Sequence, residues 1–286
     1  MELHFVTDDK IAETSSKGNQ EKWYDIDTDR WYKLDQFGYE ALSECAVSAM
    51  LEYSNIENDM PFTFVRYNME NMTVHRRSRI GCSSQNFLEK GQSVITLSNL
   101  LNKVLDAPLK EKLSNLTSDK KRIQYLAEKT AEYTGLDKFP EYLTLVFEID
   151  SLFLNDDRHL NNIAVIKSNN GYSYCPIFDN GAALLSNTQM SQMDITPKAL
   201  ISVLRARPFN TTFNRQMKSA QALFGKQLRI PQFTKTQIKQ ILAPMLEYYA
   251  ERDKGIIADR IVECEITRQK AFRKSDDRTR QTLPRP

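Results

Sequence analysis

The sequence predicts an α+β chain in which a β-rich N-terminal part is followed by a mostly helical C-terminal part. In the first third, aromatic and β-branched runs alternate with turn-forming residues, as in KWYDIDTDRWYKL at 22–34. From about Ser98 onward, apolar residues recur at helical spacing instead. With 286 residues, the chain is long enough for one large domain or for two lobes that share a cleft.

The N-terminal part reads as a hairpin, a helix and further strands. The hairpin is 22–34, and the later strands lie in FTFVRYNMENMTVHRRSRIGC at 62–82. Between them, Leu42, Ala46 and Met50 recur at helical spacing in GYEALSECAVSAMLEYS. We therefore predict that residues 1–86 form the β-rich part.

The C-terminal part reads as a series of helices with one interruption. Helices are predicted at 97–105, at 119–135 with Gly135 as the stop, at 140–154 with Pro140 at the start, at 196–206, at 215–224, and at 235–272 with Pro244 as a kink or break. The interruption is NNIAVIKSNNGYSYCPIFDNG at 161–181, where two apolar runs flank SNNG and predict a hairpin. The helical part is assigned to 87–272, and the charged tail at 273–286 is predicted to be disordered.

The composition excludes several classes of protein. Lys and Arg number 39 and Asp and Glu 37, so the near balance argues against a protein that coats nucleic acid. The four cysteines are far apart and form no CxxC, which fits a reducing cytoplasm and predicts neither a zinc site nor a dense disulfide framework. No run approaches the roughly 18 apolar residues of a membrane span, and the N-terminus lacks the features of a secretory signal. An effector exported without a signal peptide would have the same composition.

Two short polar segments flank the predicted hairpin and carry the candidate chemistry. In NDDRHLNN, Asp157, His159 and Asn162 form D-x-H-x-x-N, and Asp179 follows the hairpin in PIFDNG. Phosphoryl transfer needs one carboxylate to orient the nucleophile's proton, and an Asn with a second Asp to hold Mg²⁺ against the phosphates. Asp157 fits the first role, and Asn162 and Asp179 fit the second. The alternative is that these residues only cap helices and make turns.

His159 is grouped with Asp157 in the catalytic segment, in a supporting role that orients the loop backbone or Asp179. A zinc site is disfavoured because the chain has only three histidines and no second ligand at zinc-like spacing. Magnesium prefers oxygen ligands and therefore matches the Asp and Asn side chains better.

Two further stretches offer groups for phosphate binding. The segment SSKGNQEK contributes Ser15, Ser16, Gly18 and Lys22, although the same residue types form any surface turn. Lys33 lies in the strand-like WYKL, and a helix with Glu40 and Glu44 follows it. A strand Lys paired with a helix Glu positions ATP phosphates in kinases. The alternative is an edge-strand lysine that faces water.

Taken together, these residues resemble the HipA-like kinases in a compact form without an extra N-terminal domain. The marks of the resemblance are S-x-x-G-x-Q-x-K from Ser15 through Gln20 to Lys22, Lys33 on its strand, D-x-H-x-x-N at 157–162, and Asp179. The resemblance implies a bilobal protein-kinase-like fold with a β-rich N-lobe and a helical C-lobe. It also implies that Asp157 is catalytic, that Asn162 and Asp179 bind Mg²⁺, and that Lys33 contacts ATP. Its partner on the following helix is Glu44 or Glu40.

The same resemblance implies a bacterial cytoplasmic Ser/Thr kinase that uses ATP and Mg²⁺, acts on a protein substrate and has an antitoxin or other regulatory partner. Ser15 occupies the position at which such kinases autophosphorylate and eject their phosphate loop, and Ser16 is the adjacent alternative. The adenine-gripping hinge is predicted in GCSSQNF, at Cys82, Ser83, Ser84 and Phe87, with a plain linker as the alternative.

The sequence also departs from the kinase pattern. A Gly-rich loop is absent, and Asp179-Asn180-Gly181 replaces a DFG-like triplet. The acceptor is therefore open, and a small-molecule or phosphoinositide kinase remains an alternative, for which HRRSR at 75–79 is the only compact basic cluster. A nucleotide-binding regulator without turnover is a third reading.

Overall fold

A four-stranded antiparallel sheet begins the part of the chain that the computed structural model describes, which is residues 22–74 and 76–281. Its strands are β1 (Lys22–Asp25), β2 (Arg30–Leu34), β3 (Asn68–Val74) and β4 (Arg77–Gln85), in the order β1-β2-β4-β3. The predicted hairpin at 22–34 is confirmed. Because β2 lies between β1 and β4, Lys33 is on an inner strand, and the alternative of an edge-strand lysine is wrong.

The predicted helix between the strands is α1 (Glu40–Leu51), and a single helical turn, α2 (Ile56–Asp59), follows it. Every residue of α1 except Ala49 is buried, so the helix is enclosed on all sides rather than amphipathic. The Ser43 hydroxyl donates to the carbonyls of Asn180 and Ala183 at 2.9 Å each. These bonds tie α1 to the segment that follows the second hairpin.

A second, three-stranded sheet is built around the predicted hairpin at 161–181. Its strands are β5 (Ser93–Thr96), β6 (Ala164–Ser168) and β7 (Gly171–Tyr174), in the order β5-β6-β7. Ser168 pairs with Gly171, which adopts a positive φ of 119° at the turn, so the predicted hairpin is confirmed. The sequence reading did not include β5.

Most of the other helices agree closely with the predicted start and stop signals, but the helix at 109–114 was not predicted, and the one predicted at 235–272 is divided in two. They are α3 (Leu97–Val104), α4 (Leu109–Ser114), α5 (Asp119–Thr134), α6 (Phe139–Phe153), α7 (Pro197–Val203), α8 (Phe213–Phe224), α9 (Lys235–Leu246) and α10 (Glu251–Gln281). Gly135 ends α5 with φ of 74°, and Pro140 lies in the first turn of α6. Pro244 lies inside α9, which ends two residues later. The tail at 273–286 was predicted to be disordered, but residues 273–281 are part of helix α10. Residues 282–286 lie outside the described residues.

One large apolar core joins the sheet-bearing part to the helices. It includes Leu42 of α1, Phe147 of α6 and Ile261 of α10, each fully buried. Burying such a side chain contributes about 1.5–3 kcal/mol relative to leaving it exposed. A smaller group, the Leu200 cluster, consists of Leu154, Leu185, Leu200, Ala206, Phe213 and Cys264, with Ile201 and Leu204 packed against it. None of the helices in the described residues is long and apolar enough to cross a membrane.

Candidate active site

Lys33 lies between two carboxylates that the chain supplies from distant positions. Its Nζ atom is 2.5 Å from Glu44 Oε1 on α1 and 2.9 Å from Asp179 Oδ1, which follows β7. Burial alone would lower the pKa of Lys33, but Asp179 and Glu44 raise it well above its usual value. The lysine is therefore a fixed positive charge inside the protein.

The carboxylate of Asp179 is correspondingly held in its ionised form. Burial alone would raise its pKa, but Lys33 and Lys22 outweigh burial and hold the pKa far below its usual range. Asp179 also adopts a positive φ of 64°, a conformation that is uncommon outside glycine and clusters at functional sites. Its backbone N–H points to the Tyr67 hydroxyl at 3.5 Å, and the Tyr67 ring centroid lies 5.1 Å from Lys33 Nζ. The sequence reading missed Tyr67.

Glu40 and Glu44 have different partners, although the helix period places both on one face of α1. Glu40 accepts hydrogen bonds from the backbone N–H groups of Phe37 and Gly38, at 2.8 and 3.1 Å. Glu44 pairs with Lys33 through one oxygen and accepts the Asn180 N–H at 2.7 Å through the other. Glu44 therefore connects the strand lysine to the Asp179 segment, and Glu40 orders the loop before α1.

Asp35, the residue after β2, anchors that strand to the C-terminal helices. Its carboxylate accepts the Ala41 N–H and the Tyr249 hydroxyl, each at 2.6 Å. Burial raises the pKa of Asp35 to about 7, against the opposing effect of these hydrogen bonds. Arg79, from the basic cluster at 75–79, donates to the Asp35 carbonyl at 2.9 Å. His75 of that cluster lies outside the described residues.

Arg158 is a central residue that the sequence reading left without a role. Its side chain is fully buried and pairs with Asp150 at 3.0 Å. It also donates to the carbonyls of Asn162 and Phe178, at 3.0 and 2.5 Å, and to Asn180 Oδ1 at 2.7 Å. One guanidinium thus fixes the Asp157–Asn162 loop relative to the Asp179 segment.

Asp157, His159 and Asn162 lie together on the other side of the site. Asp157 is the most open of the three, with 61% of its side chain exposed, and its carboxylate lies 3.9 Å from His159 Nε2. Burial raises the pKa of Asp157, His159 opposes this effect, and Asp179 adds to it. Asn162 Nδ2 donates to the Asp157 carbonyl at 3.0 Å. His159 Nδ1 and Asn162 Oδ1 are buried and have no hydrogen-bond partner among the described residues.

The donor set fits a magnesium ion, which prefers oxygen ligands and commonly takes one or two protein side chains together with phosphate oxygens. Asp179 supplies an ionised carboxylate, and Asn162 Oδ1 is a buried acceptor that has no hydrogen-bond partner among the described residues. No group of three or more His, Cys, Asp or Glu side chains in the described ranges could hold a metal ion.

Among the predicted phosphate-binding residues, Lys22 is on β1, opposite Lys33 in the register of the sheet. Burial and the charge of Lys33 lower the pKa of Lys22, whereas Asp179 raises it. Ser15, Ser16, Gly18 and Gln20 lie outside the described residues.

Two cavities meet at Lys22. The first, the Trp31 pocket, is lined by Trp31, Tyr32, Lys33, Val65, Tyr67, Ser84, Asn86, Phe87, Leu88, Val94 and Phe178, in addition to Lys22. The rings of Phe87 and Phe178 in its lining are tilted by 35° relative to one another, with centroids 6.3 Å apart. Of the predicted hinge residues, Ser84 and Phe87 therefore line an apolar pocket. Cys82 and Ser83 lie within β4, buried, and do not line it.

The second cavity, the Asp157 cleft, has a volume of about 360 Å³, in the range of ligand pockets. Its polar lining includes Lys22, Glu40, Asp156, Asp157, Asn162, Asp179 and Arg207, and its apolar lining includes Phe37, Leu154, Leu185, Met190 and Leu204. Burial and the charge of Asp157 raise the pKa of Asp156 to about 6. The sequence reading assigned no role to Asp156, to Arg207 or to the leucines.

Comparison with known proteins gives a likeness in structure alone. Neither a protein-family profile nor a curated protein sequence matches the chain. The crystal structure of the Helicobacter pylori proinflammatory kinase CtkA matches 92% of this chain and 92% of its own, with a TM-score of 0.60 and 13% identity. HipA from Shewanella oneidensis MR-1, solved with HipB and operator DNA, matches 90% of this chain and 65% of its own, with a TM-score of 0.47 and 12% identity. The first likeness confirms that this chain has a fold similar to that of a kinase.

Proposed function

We propose that the chain is an ATP- and Mg²⁺-dependent kinase that transfers the γ-phosphoryl group of ATP to Ser or Thr hydroxyls of a protein. The observation that carries this proposal is Lys33, held between Glu44 and Asp179, because Asp179 lines the same cleft as Asp157. Kinases use the same pairing of a strand lysine with a helix glutamate to position ATP. In this proposal, the four-stranded sheet with α1 forms the N-lobe and the helices form the C-lobe of a bilobal kinase.

The nucleotide would lie across the two cavities that meet at Lys22. The apolar walls of the Trp31 pocket, with the rings of Trp31 and Phe87, suit an adenine base. Lys22 and Lys33 both line this pocket, and Lys22 also lines the Asp157 cleft, so their charges would neutralise phosphate oxygens there. Ser84 and Phe87 are the hinge residues that this arrangement retains.

Asn162 and Asp179 would hold Mg²⁺, which offsets the negative charge of the ATP phosphates when it is bound. Asn162 Oδ1 offers a buried oxygen, and Asp179 stays ionised because Lys33 lies beside it. Arg158 would act through these two residues, since it holds the backbone of Asn162 and the side chain of Asn180.

Asp157 would accept or orient the proton of the acceptor hydroxyl. Its carboxylate is exposed in the cleft, and its raised pKa makes it a better proton acceptor than an ordinary aspartate. His159, at 3.9 Å, would orient Asp157 rather than take the proton itself. Autophosphorylation at Ser15 or Ser16, and restraint by a regulatory partner, belong to the same proposal.

The proposal is tested by replacing Asp157 with Asn, which keeps the shape and removes the charge. We expect ADP formation in the presence of Mg²⁺ to fall about 10²–10⁴-fold. The melting temperature should not change, because Asp157 is exposed. Asp106→Asn is the matched control, since that aspartate is also exposed and lies outside both cavities. Equal ADP formation by wild type and Asp157→Asn would refute the catalytic assignment.

Mass spectrometry of the protein after incubation with Mg-ATP tests autophosphorylation separately. Phosphate on Ser15 or Ser16 in wild type, and its absence in Asp157→Asn, is the expected result. Unmodified Ser15 and Ser16 in a preparation that converts ATP to ADP would exclude autophosphorylation and leave the kinase assignment intact.

A further inference from the structure

Part of the lining of the Asp157 cleft is apolar, and the catalytic roles proposed above do not use it. This part, called the floor below, consists of Leu154, Leu185 and Leu204. Leu154 and Leu185 line the cleft and are almost completely buried, and Leu204 lines it beside them. All three belong to the Leu200 cluster or pack against it, so the floor rests on α7, α8 and α10. Met190, at the rim, leaves 80% of its side chain exposed.

Two of these leucines are held in an unfavourable backbone conformation. Leu154 and Leu185 both have φ of 59°, and Leu184 beside them has φ of 57°. Leu154 is the left-handed C-cap that ends α6, which accounts for its φ. Leu184 and Leu185 end no helix, and a positive φ in such bulky residues persists only where the surroundings hold it, commonly at ligand sites. Here the Leu184 N–H donates to the Phe153 carbonyl at 2.8 Å, and the Leu184 carbonyl accepts the Tyr39 hydroxyl at 2.8 Å. The fold therefore maintains an apolar surface three residues from Asp157.

The charges around this floor indicate what it can bind. Among the described residues, the cleft is lined by four acidic side chains, of Glu40, Asp156, Asp157 and Asp179. Two basic side chains, of Lys22 and Arg207, also line it. Asp179 is paired with Lys33, and Asp179 and Lys22 are assigned to Mg²⁺ and ATP, so Glu40, Asp156 and Asp157 remain against Arg207 for the acceptor. A polyanionic acceptor such as a phosphorylated inositol headgroup would be repelled by this excess of carboxylates. A neutral or basic segment with an apolar side chain would complement both the charge and the floor.

From these observations we infer that the Asp157 cleft binds a protein segment in which an aliphatic residue lies next to the accepting Ser or Thr. The inference rests on the proposed kinase function and names the substrate class of the same site. The aliphatic side chain packs on Leu154, Leu185 and Leu204 beneath Met190, which brings the neighbouring hydroxyl to Asp157. Acidic residues beside the hydroxyl are disfavoured.

The test measures kcat/KM for serine peptides that differ only in the residue beside the serine, which is Leu, Ala or Asp. Wild type should prefer the Leu peptide to the Ala peptide about tenfold, since a few methylene groups in an apolar pocket give about 10–200-fold discrimination. The Asp peptide should be the poorest substrate. A wild-type ratio near one between the Leu and Ala peptides would overturn the inference.

Two variants locate the preference on the cleft floor. Leu204→Gln and Met190→Gln should each reduce the Leu-to-Ala ratio toward one, and the ratio normalises any loss of overall activity. Met190 is exposed, so its variant should keep the wild-type melting temperature. Val203→Gln is the matched control, because Val203 is 66% exposed beside Leu204 and does not line the cleft. A ratio unchanged in both cleft variants, or reduced equally in the control, would also overturn the inference.

A separate arm distinguishes failure of the substrate class from failure of the proposed kinase function. Phosphatidylcholine vesicles containing phosphatidylinositol replace the peptides in the same assay. Phosphorylation of the lipid in preference to every peptide would overturn the peptide inference and retain the kinase. ADP formation by wild type no greater than that of Asp157→Asn would instead refute the kinase function, and the inference with it.

Discussion

The two sides of the Asp157 cleft differ in how completely the protein satisfies their polar groups. On the Asp179 side, the carboxylate pairs with Lys33, and Asn180 is held by both Arg158 and Glu44. On the Asp157 side, the carboxylate is largely exposed, and buried atoms of His159 and Asn162 have no partner among the described residues.

This difference separates charge that is fixed in advance from charge that is available for a reaction. The pKa of Asp179 is lowered and that of Asp157 is raised, so the pKa values of two carboxylates in one cleft differ in opposite directions from the usual value. Such a divergence is the usual mark of separate roles for two acidic groups. The satisfied side suits the binding of cations and phosphates, and the open side suits proton transfer.

Replacing Arg158 is the most severe test of the Asp179 side of the cleft, where the polar groups are paired. Replacing Arg158 with Met leaves Asp150 buried without its cation, and we expect the free energy of unfolding in urea to fall by about 3–5 kcal/mol. Burial already raises the pKa of Asp150 to about 6, and loss of Arg158 removes the opposing effect. The folded variant then binds more protons than the unfolded chain, so its deficit should grow as the pH rises from 5 to 8.

The double variant Arg158→Met with Asp150→Leu is the control for this prediction. It removes both charges, and we expect it to recover a large part of the lost stability. No recovery would mean that the contacts of Arg158 with Asn162, Phe178 and Asn180, rather than its pairing with Asp150, hold the site together.

Lys33→Met tests whether the satisfied side serves the reaction as well as the fold. Loss of one positioned cation should lower kcat/KM for ATP about 10²–10³-fold, or about 3–4 kcal/mol. Lys167→Met is the matched control, since Lys167 is also on a strand but is exposed and lines neither cavity. An unchanged kcat/KM in Lys33→Met would show that the ion pairs with Glu44 and Asp179 are structural only.

His159→Gln examines the open side through its pH dependence. His159 lowers the pKa of Asp157, so its removal should raise that pKa. In the proposed function Asp157 would act as the carboxylate, so activity should fall when the pH drops through its pKa, and the acid limb of the pH–rate profile should move to higher pH. At a fixed pH on that limb the rate should fall about fivefold, as expected for about 1 kcal/mol between charges 4 Å apart. An acid limb that does not move would separate His159 from Asp157.

Arg66→Met has the smallest expected effect and calibrates the others. Arg66 pairs with Glu52 at 2.5 Å and Glu57 at 2.7 Å, but half of its side chain is exposed. Exposed ion pairs contribute about 0.2–1 kcal/mol to stability, so the free energy of unfolding in urea should fall by no more than that. A loss as large as that of Arg158→Met would mean that burial does not distinguish the two arginines.

Local signals in the sequence predicted the elements well. The hairpin at 22–34, the hairpin around SNNG, the stop at Gly135 and the start at Pro140 are all present, because each depends on residues close in the chain. The strand β5 was missed because Ser93–Thr96 has only four residues and forms its pairs with β6, about 70 positions later.

The sequence was less informative about which side chains meet. Helical spacing placed Glu40 and Glu44 on one face and could not choose between them, since the choice depends on the loop at 36–38 that Glu40 bonds. Nothing in the sequence indicated that Arg158 holds the site together. Its acceptors are four separate groups, and three of them are carbonyl or amide oxygens, which form no charge pattern in a sequence. Leu154 and Leu185 read as ordinary core residues, since a positive φ leaves no mark in a leucine.

The hydrogen bond between Tyr249 and Asp35 has a consequence for synthesis of the chain. The two residues are separated by 214 positions, and Lys33 and Asp179 by 146. Since a chain is made from its N-terminus and distant contacts form late, β2 leaves the ribosome long before either partner exists. The carboxylate of Asp35 lacks its Tyr249 partner until the α9–α10 connection has been made. A nascent chain that ends before Tyr249 can contain every residue of the proposed catalytic loop and still lack the anchor at the end of the strand that carries Lys33.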